Sequence, residues 1–334
     1  MQSIVTVNKP LVITLMGPTA CGKTALAMAL HHLLPVDVIS VDSALVYRGM
    51  DIGTAKPTAV ERAKVPHALV DICDPADSYN VADFCRDAQQ AVVDSIAKNR
   101  IPLLVGGTMM YFKALLEGLA SMPATDVNVR AAIAAEATKQ GWPALHRQLS
   151  EIDPDYARTI HPNHSQRISR GLEVYHVGGK TMSSYRHQQR MTTTAPVLTE
   201  RYQVIQIALL PNDRSALHQR IEKRFEIMLT RGFVDEVRLL FQRRDLMAES
   251  PSVRTVGYRQ VWQYLDADYD YEAMVTKSIA ATRQLAKRQL TWLRRWPNLN
   301  NLIVELPLND DFEEGQQIAK IASQILRFLP IKSL

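Results

Sequence analysis

The chain is short of cysteine, with three in 334 residues at Cys21, Cys73 and Cys85. None stands in a CxxC pair, which argues against a structural zinc site and a disulfide framework and fits a reducing cytoplasm. Long apolar runs are missing as well. No stretch approaches the roughly 18 residues of a membrane span, so no transmembrane helix and no membrane partner are expected. Met1 to Pro10 has no apolar core ahead of a small-residue cleavage site, so no secretory signal is expected either. Acid is absent locally rather than overall. From Ala273 to Val304 there is no Asp or Glu, against Lys277, Arg283, Lys287, Arg288, Arg294 and Arg295. From Arg158 to Arg190 Glu173 is the one acid, against Arg158, Arg167, Arg170, Lys180, Arg186 and Arg190. A net charge of +5 is modest, so its concentration in two stretches points to a nucleic-acid face, with solvated helix faces as the bland alternative.

The strongest positive signal is the octapeptide GPTACGKT, Gly17 to Thr24. It follows the apolar run Leu11–Met16 and precedes a helical pattern at Ala25–Leu34, the strand–loop–helix setting of a P-loop. In such a loop the backbone N–H groups of Gly17, Pro18, Thr19, Ala20, Cys21 and Gly22 (proline excepted) wrap a phosphate chain. Lys23 neutralises its charge, and the Thr24 hydroxyl is the candidate Mg²⁺ ligand. Cys21 reads as a small filler, with a reactive thiol at a helix N-terminus as the alternative.

Further β-type runs are expected at Val36–Ser40, Leu69–Ile72, Ile101–Val105 and Gln203–Leu209, separated by helical patterns at Val81–Lys98 and Tyr111–Glu117. This alternation predicts an α/β fold, a P-loop NTPase-like parallel sheet flanked by helices. The pattern breaks between about Ser121 and Arg201. Helical stretches at Asn128–Gln140, Pro143–Ser150 and Asn163–Val177 are followed there by a polar segment through Thr194. A mainly helical insertion domain, 121–200, within a catalytic core of 1–120 and 201–334 is the simplest account. Helices are expected again at Ala216–Leu229, Phe233–Phe241 and, as one or two pieces, Asp270–Trp296.

Ligands of open parallel sheets bind beyond the carboxyl ends of the strands. One such end leads to Gly17, one to Asp42 and one to Gly106, Gly107 and Thr108, so these should converge on one crevice. Asp42 could bind Mg²⁺, act as a general base or cap a helix. Gly106-Gly107 allows close approach of a ligand or a tight turn. Arg220 and Arg224 are four apart on one helix face and could both reach a phosphate chain.

Six motifs in order carry a resemblance: GPTACGKT (17–24), SVDSALVYRGMDIGTAKP (40–57), PLLVGGT (102–108), HQRIEKRF (218–225), VGYRQ (256–260) and ATRQLAKRQLTW (281–292). From about Leu11 to Trp296 the chain resembles the bacterial tRNA dimethylallyltransferases, also called tRNA isopentenyltransferases. Cys21 departs from the family's usual Ser. The resemblance implies transfer of a dimethylallyl group from dimethylallyl diphosphate to N6 of adenosine 37, in tRNAs reading codons that begin with U. The P-loop with Arg220 would then hold a diphosphate leaving group, aided by Mg²⁺. Arg224 would cap that group, Asp42 would take the N6 proton, and Thr108 would sit against the target adenosine. Contacts to the tRNA anticodon stem-loop carry over to Asp42, Ser43, Ala44, Leu45 and Thr108; to Arg130, Gln166, Arg167, Ile168, Ser169 and Arg170; to Arg254, Thr255, Val256, Gly257, Tyr258 and Arg259; and to Lys287, Arg288, Gln289, Leu290, Thr291, Trp292, Leu293 and Arg294. A cytoplasmic monomer is the expected form. The rival classes are a P-loop small-molecule kinase, an isopentenyltransferase acting on free AMP, and a non-catalytic RNA-binding ATPase.

Overall fold

A computed structural model of the chain describes residues 9–120, 122–191, 197–304 and 311–330. The chain forms two compact units, 1–117 with 198–334, and 118–197. In the first unit the chain runs β1 (Leu11–Met16), α1 (Lys23–Leu33), β2 (Val36–Val41), α2 (Ala59–Lys64), β3 (His67–Ala68), α3 (Val81–Ala97), β4 (Ile101–Gly106) and α4 (Met109–Glu117). The second unit holds α5 (Val127–Gln140), α6 (Trp142–Ile152), α7 (Pro154–Ala157), α8 (Ser165–Gly178) and α9 (Met182–Met191). The return to the first unit adds α10 (Leu198–Arg201), β5 (Gln203–Pro211), α11 (Arg214–Thr230), α12 (Phe233–Phe241), α13 (Tyr258–Leu265), α14 (Tyr271–Leu293), β6 (Asn300–Val304) and α15 (Asp311–Phe328).

The six strands form one sheet in the order β3-β2-β4-β1-β5-β6, every pair parallel. Alternate residues of each strand feed opposite faces, as the two-residue side-chain period requires. Ile13 and Leu15 pack with Val38, Leu103 and Ile207 under α1, α11 and α15, while Val12 and Met16 pack with Ile39, Leu104 and Ala208 under α3 and α4. Both faces are therefore covered, which is why the strands read as nearly continuous apolar runs. A third cluster joins Val46, Tyr47 and Met50, beyond β2, to Phe225, Phe233, Val237 and Tyr258. The second unit has its own core of Ile133, Leu145, Leu149, Ile168 and Leu172.

Several expectations change. Leu69–Ile72 is not a strand: Leu69 and Asp71 take left-handed φ values of 63° and 57°, which break an extended run, and only His67–Ala68 pairs with β2. The polar segment after Val177 contains α9. Thr181 caps it, its hydroxyl accepting from Ser184 N–H at 3.1 Å, and Met182 and Tyr185 pack into the core of this unit among mostly polar residues, so its composition hides its periodicity. Thr194 and its neighbours lie outside the described residues. Leu198, expected in the insertion, is buried in the core of the sheet unit. Asp270–Trp296 is one helix up to Leu293. Elements α13, β6 and α15 were not expected. Of these, α15 places Ile321, Ala322 and Ile325 in the core beside α1.

Candidate active site

Sheet register fixes the geometry. Met16, Gly106 and Val41 lie in one row across three neighbouring strands, so Gly17, Gly107 and Asp42 each stand one residue past the same edge. Gly106 has no alternative, since an added Cβ would lie 1.9 Å from the Val41 carbonyl oxygen. At Gly107 a Cβ would strike the Gln289 amide at 2.4 Å.

From Met16 the chain turns through Gly17–Gly22 into α1. Gly22 is the residue preceding the helix, with φ of 87°, the left-handed region where glycine costs least. The first turn of α1 thus directs its unbonded N–H groups into the loop, an arrangement suited to an anion. Lys23 Nζ donates to the Pro18 carbonyl at 2.5 Å and lies 3.8 Å from Cys21 Sγ. Cys21 is buried in the core beneath the loop, and Thr24 is exposed at its mouth. Gln289 of α14 fixes the loop from behind. Its Oε1 accepts the Thr19 N–H at 2.8 Å and its Nε2 donates to the Gly107 carbonyl at 2.9 Å.

Asp42 is half-buried, and its Oδ1 accepts the Ala44 N–H at 2.8 Å. Thr108 ties the two strand ends together, its Oγ accepting the Ser43 N–H at 3.1 Å. From α11, half-buried Arg224 donates to the Thr54 carbonyl at 3.4 Å. Desolvation lowers the Arg224 pKa, the nearby Asp42 carboxylate opposes that shift, and the like charge of Arg220 adds to it. The guanidinium nonetheless stays cationic. Asp42, Thr108, Arg224, Arg220 and the loop 17–24 therefore share one neighbourhood.

The motif 40–57 is anchored by contacts that its sequence did not reveal. Lys56 is buried and donates to the Tyr47 carbonyl at 2.7 Å, to Asp51 at 2.6 Å and to Asp71 at 2.5 Å. Glu236 of α12 accepts the N–H groups of Asp51, Ile52 and Gly53 at 2.9, 2.7 and 3.1 Å, and the Tyr258 hydroxyl donates to it as well.

The expected RNA contacts divide by exposure. Arg254 and Arg259 are exposed, but Tyr258 is buried on Glu236. Along α14, Lys287, Arg288, Thr291, Trp292 and Arg294 face outward, whereas Leu290 is half-buried and Gln289 and Leu293 are buried. Lys113 Nζ lies 5.9 Å from the Trp292 ring centroid. The helical period puts every third or fourth residue inside, so a contiguous stretch cannot all face a ligand. The side chains of Tyr258, Gln289 and Leu293 accordingly serve the protein interior.

In the second unit Gln166 and Arg167 are exposed, Ser169 is half-buried and Ile168 is in the core. Arg130 and Arg170 meet on Glu173, which is fully buried. Arg130 Nε donates at 3.0 Å, Arg170 Nη1 at 2.7 Å and the Asp126 N–H at 3.0 Å. Arg170 also donates to the Pro123 carbonyl at 2.8 Å.

The sheet and its corner define a parallel α/β protein whose glycine-rich loop and Asp42 carboxylate lie at one edge of the sheet. A family model described as IPP transferase matches residues 45–296. Two solved bacterial proteins are similar over nearly their whole lengths. The tRNA isopentenylpyrophosphate transferase of Bacillus halodurans is 34% identical, with 96% of each chain covered and a TM-score of 0.67. The tRNA delta(2)-isopentenylpyrophosphate transferase of Staphylococcus epidermidis is 30% identical, covering 96% of this chain and 100% of that one, with a TM-score of 0.63. A eukaryotic dimethylallyltransferase acting on tRNA is 25% identical, covering 97% of this chain and 81% of that one, with a TM-score of 0.76. The chain belongs to the IPP transferase family. Among its described helices none is long and apolar enough to cross a membrane.

Proposed function

We propose that this chain transfers the dimethylallyl group of dimethylallyl diphosphate to N6 of adenosine 37, beside the anticodon of tRNAs that read codons beginning with U. The observation that carries the reading is the common row of strand ends, which brings the glycine-rich loop 17–24 and the Asp42 carboxylate to one sheet edge, with Arg224 of α11 near enough to feel the Asp42 charge. The diphosphate rests against the N–H groups of Ala20, Cys21 and Gly22 and the first turn of α1, since Pro18 has no N–H and that of Thr19 is bonded to Gln289, with Lys23, Arg220 and Arg224 opposing its charge. As the N6–C1 bond forms, the C1–O bond breaks and the electron pair leaves with the pyrophosphate. Asp42 accepts the N6 proton, which restores a neutral amine on the product. Thr108 borders the adenosine side.

Mg²⁺ fits the residues present. Among the described residues no three His, Cys, Asp or Glu side chains cluster as a metal cage, but Mg²⁺ needs few protein ligands when phosphate oxygens and water complete its shell. The exposed Thr24 hydroxyl would hold it. Mg²⁺, when bound, supplies charge neutralisation for the departing diphosphate.

A base in a stacked loop must be turned out, at a cost of roughly a few kcal/mol. Each unit carries exposed basic side chains that could offset this cost, Lys287 and Arg288 on α14 with Arg294 just past its end, and Arg167 on α8. These surfaces favour tRNA over free AMP. We place the enzyme in the cytoplasm as a monomer.

Labelled dimethylallyl diphosphate, incubated with the protein and either unmodified tRNA or AMP, tests the reading. Label is expected in tRNA and absent from AMP. Transfer to AMP alone, or ATP-dependent phosphorylation without transfer, overturns it. Binding to tRNA should also weaken by about 10³-fold or more between roughly 50 and 200 mM salt if six or more phosphates are contacted. A flat salt response would return these faces to plain solvated surface.

A further inference from the structure

Arg224 lies close enough to Asp42 to feel its carboxylate charge, yet its own helix does not determine where its long side chain points. Its guanidinium donates to the carbonyl of Thr54, at 3.4 Å. Thr54 ends the segment 51–54, and the three residues before it give their N–H groups to one carboxylate, Glu236. Three successive N–H groups turned toward one anion form a backbone nest, a geometry that a free loop holds only while the anion is present. The carboxylate is held in turn by the Tyr258 hydroxyl. Burial, reinforced by Glu236, pushes the Tyr258 phenol far above its usual pKa, so it remains a donor.

An apolar path runs beside the polar one. Phe225, next to Arg224, meets Phe233 edge-on at 6.1 Å, and Phe233 meets Tyr258 edge-on at 5.0 Å. Gly53 fits against the same rings, since a Cβ there would lie 2.0 Å from Phe233. The loop, α11, α12 and α13 are thus interlocked at one place, on the flank of the diphosphate cradle.

We propose that Glu236 and Tyr258 are positioning residues for the transfer reaction, locking the loop 51–54 so that Thr54 aims the Arg224 guanidinium at the leaving diphosphate. The proposal rests on the diphosphate reading given above. Neither residue touches substrate, and both act through Arg224.

Glu236→Gln replaces one acceptor oxygen with an amide NH₂, which leaves part of the converging donor set unpaired. Tyr258→Phe removes a single hydroxyl while keeping the ring on Phe233, and it carries the same test should the first variant fail to fold. Three measurements decide. Affinity for inorganic pyrophosphate, read by calorimetry without turnover, is expected to fall by roughly tenfold in each variant, the scale of one lost charge-assisted hydrogen bond. Affinity for tRNA should stay within about twofold of the parent. In an Arg224→Ala background, Glu236→Gln should cost less than about a further twofold in kcat/KM, because residues acting in one chain are not additive. Unchanged pyrophosphate affinity in a folded variant overturns the proposal. So does a full independent loss in the Arg224→Ala background, or a parallel loss of pyrophosphate and tRNA binding, which would mark a general structural role. Failure of the reaction reading looks different: the unsubstituted protein itself would not transfer label to tRNA.

Discussion

Replacing Asp42 with alanine is expected to lower the rate of transfer to tRNA by roughly 10²–10⁴-fold, the range of a lost general base. The amine at N6 is conjugated with the purine ring, so its lone pair is a weak nucleophile and its proton must leave as the new bond forms. In the proposed reaction Asp42 takes this proton. Its Oδ1 is held by the Ala44 N–H at 2.8 Å, which orients the carboxylate and leaves Oδ2 to accept the proton. Asp42→Asn gives the sharper test, since the amide keeps the size and can keep the Ala44 bond but has no basic oxygen. A comparable loss in both variants identifies basicity as what Asp42 supplies. Near-parental turnover in Asp42→Asn removes it as the base. A second consequence has the opposite sign. Arg224 feels the Asp42 charge, and without it the site's cations are less balanced, so pyrophosphate should bind more tightly in both variants. tRNA affinity, read by filter binding, should change little.

The parts of this site that the sequence reveals are local ones. GPTACGKT is a single turn between a strand and a helix, and its glycines are explained within eight residues. Asp42 and Thr108 became visible because a parallel sheet collects its strand ends at one edge, so two distant positions share a place once their strands are recognised. Glu236 had no such rule. Its partners Asp51 to Gly53 lie up to 185 residues away, and a glutamate on an amphipathic helix looks like any solvated one. The same holds for Gln289, which sits 270 residues from Thr19 and lies within a stretch whose other polar residues mostly face outward. Leu69–Ile72 misled for the converse reason. Of this apolar run Leu69 is buried but Ile72 is exposed, and the left-handed residue Asp71 has its carboxylate paired with Lys56 and Arg62. A turn whose partners are distant charges leaves no periodic mark.

Glu173→Ala should destabilise the unit 118–197 by about 3 kcal/mol, near the lower end of what breaking a buried ion pair costs. Glu173 is fully buried and satisfies three donors, from Arg130, Arg170 and the Asp126 backbone. Removing it takes the acceptor from the Asp126 N–H and from both guanidinium groups at once, although Arg170 keeps the Pro123 carbonyl. The cost stays near the lower end because the Arg130 side chain is 50% exposed and can turn to water. Arg130→Ala, which leaves Glu173 still paired with Arg170, should therefore cost less, about 1 kcal/mol. A melt following residues of this unit should show a lowered transition for Glu173→Ala and a small shift for Arg130→Ala. Equal shifts would mean that Glu173 is hydrated and its pairing with Arg170 adds little. Function separates the two variants again. The carboxylate offsets one of two cations, so the cluster keeps a net positive charge that an RNA phosphate can meet. Arg130→Ala cancels that charge in a folded unit and should weaken tRNA binding with a reduced salt slope, by about one unit. Pyrophosphate affinity, which reads the P-loop unit alone, should be unchanged in both.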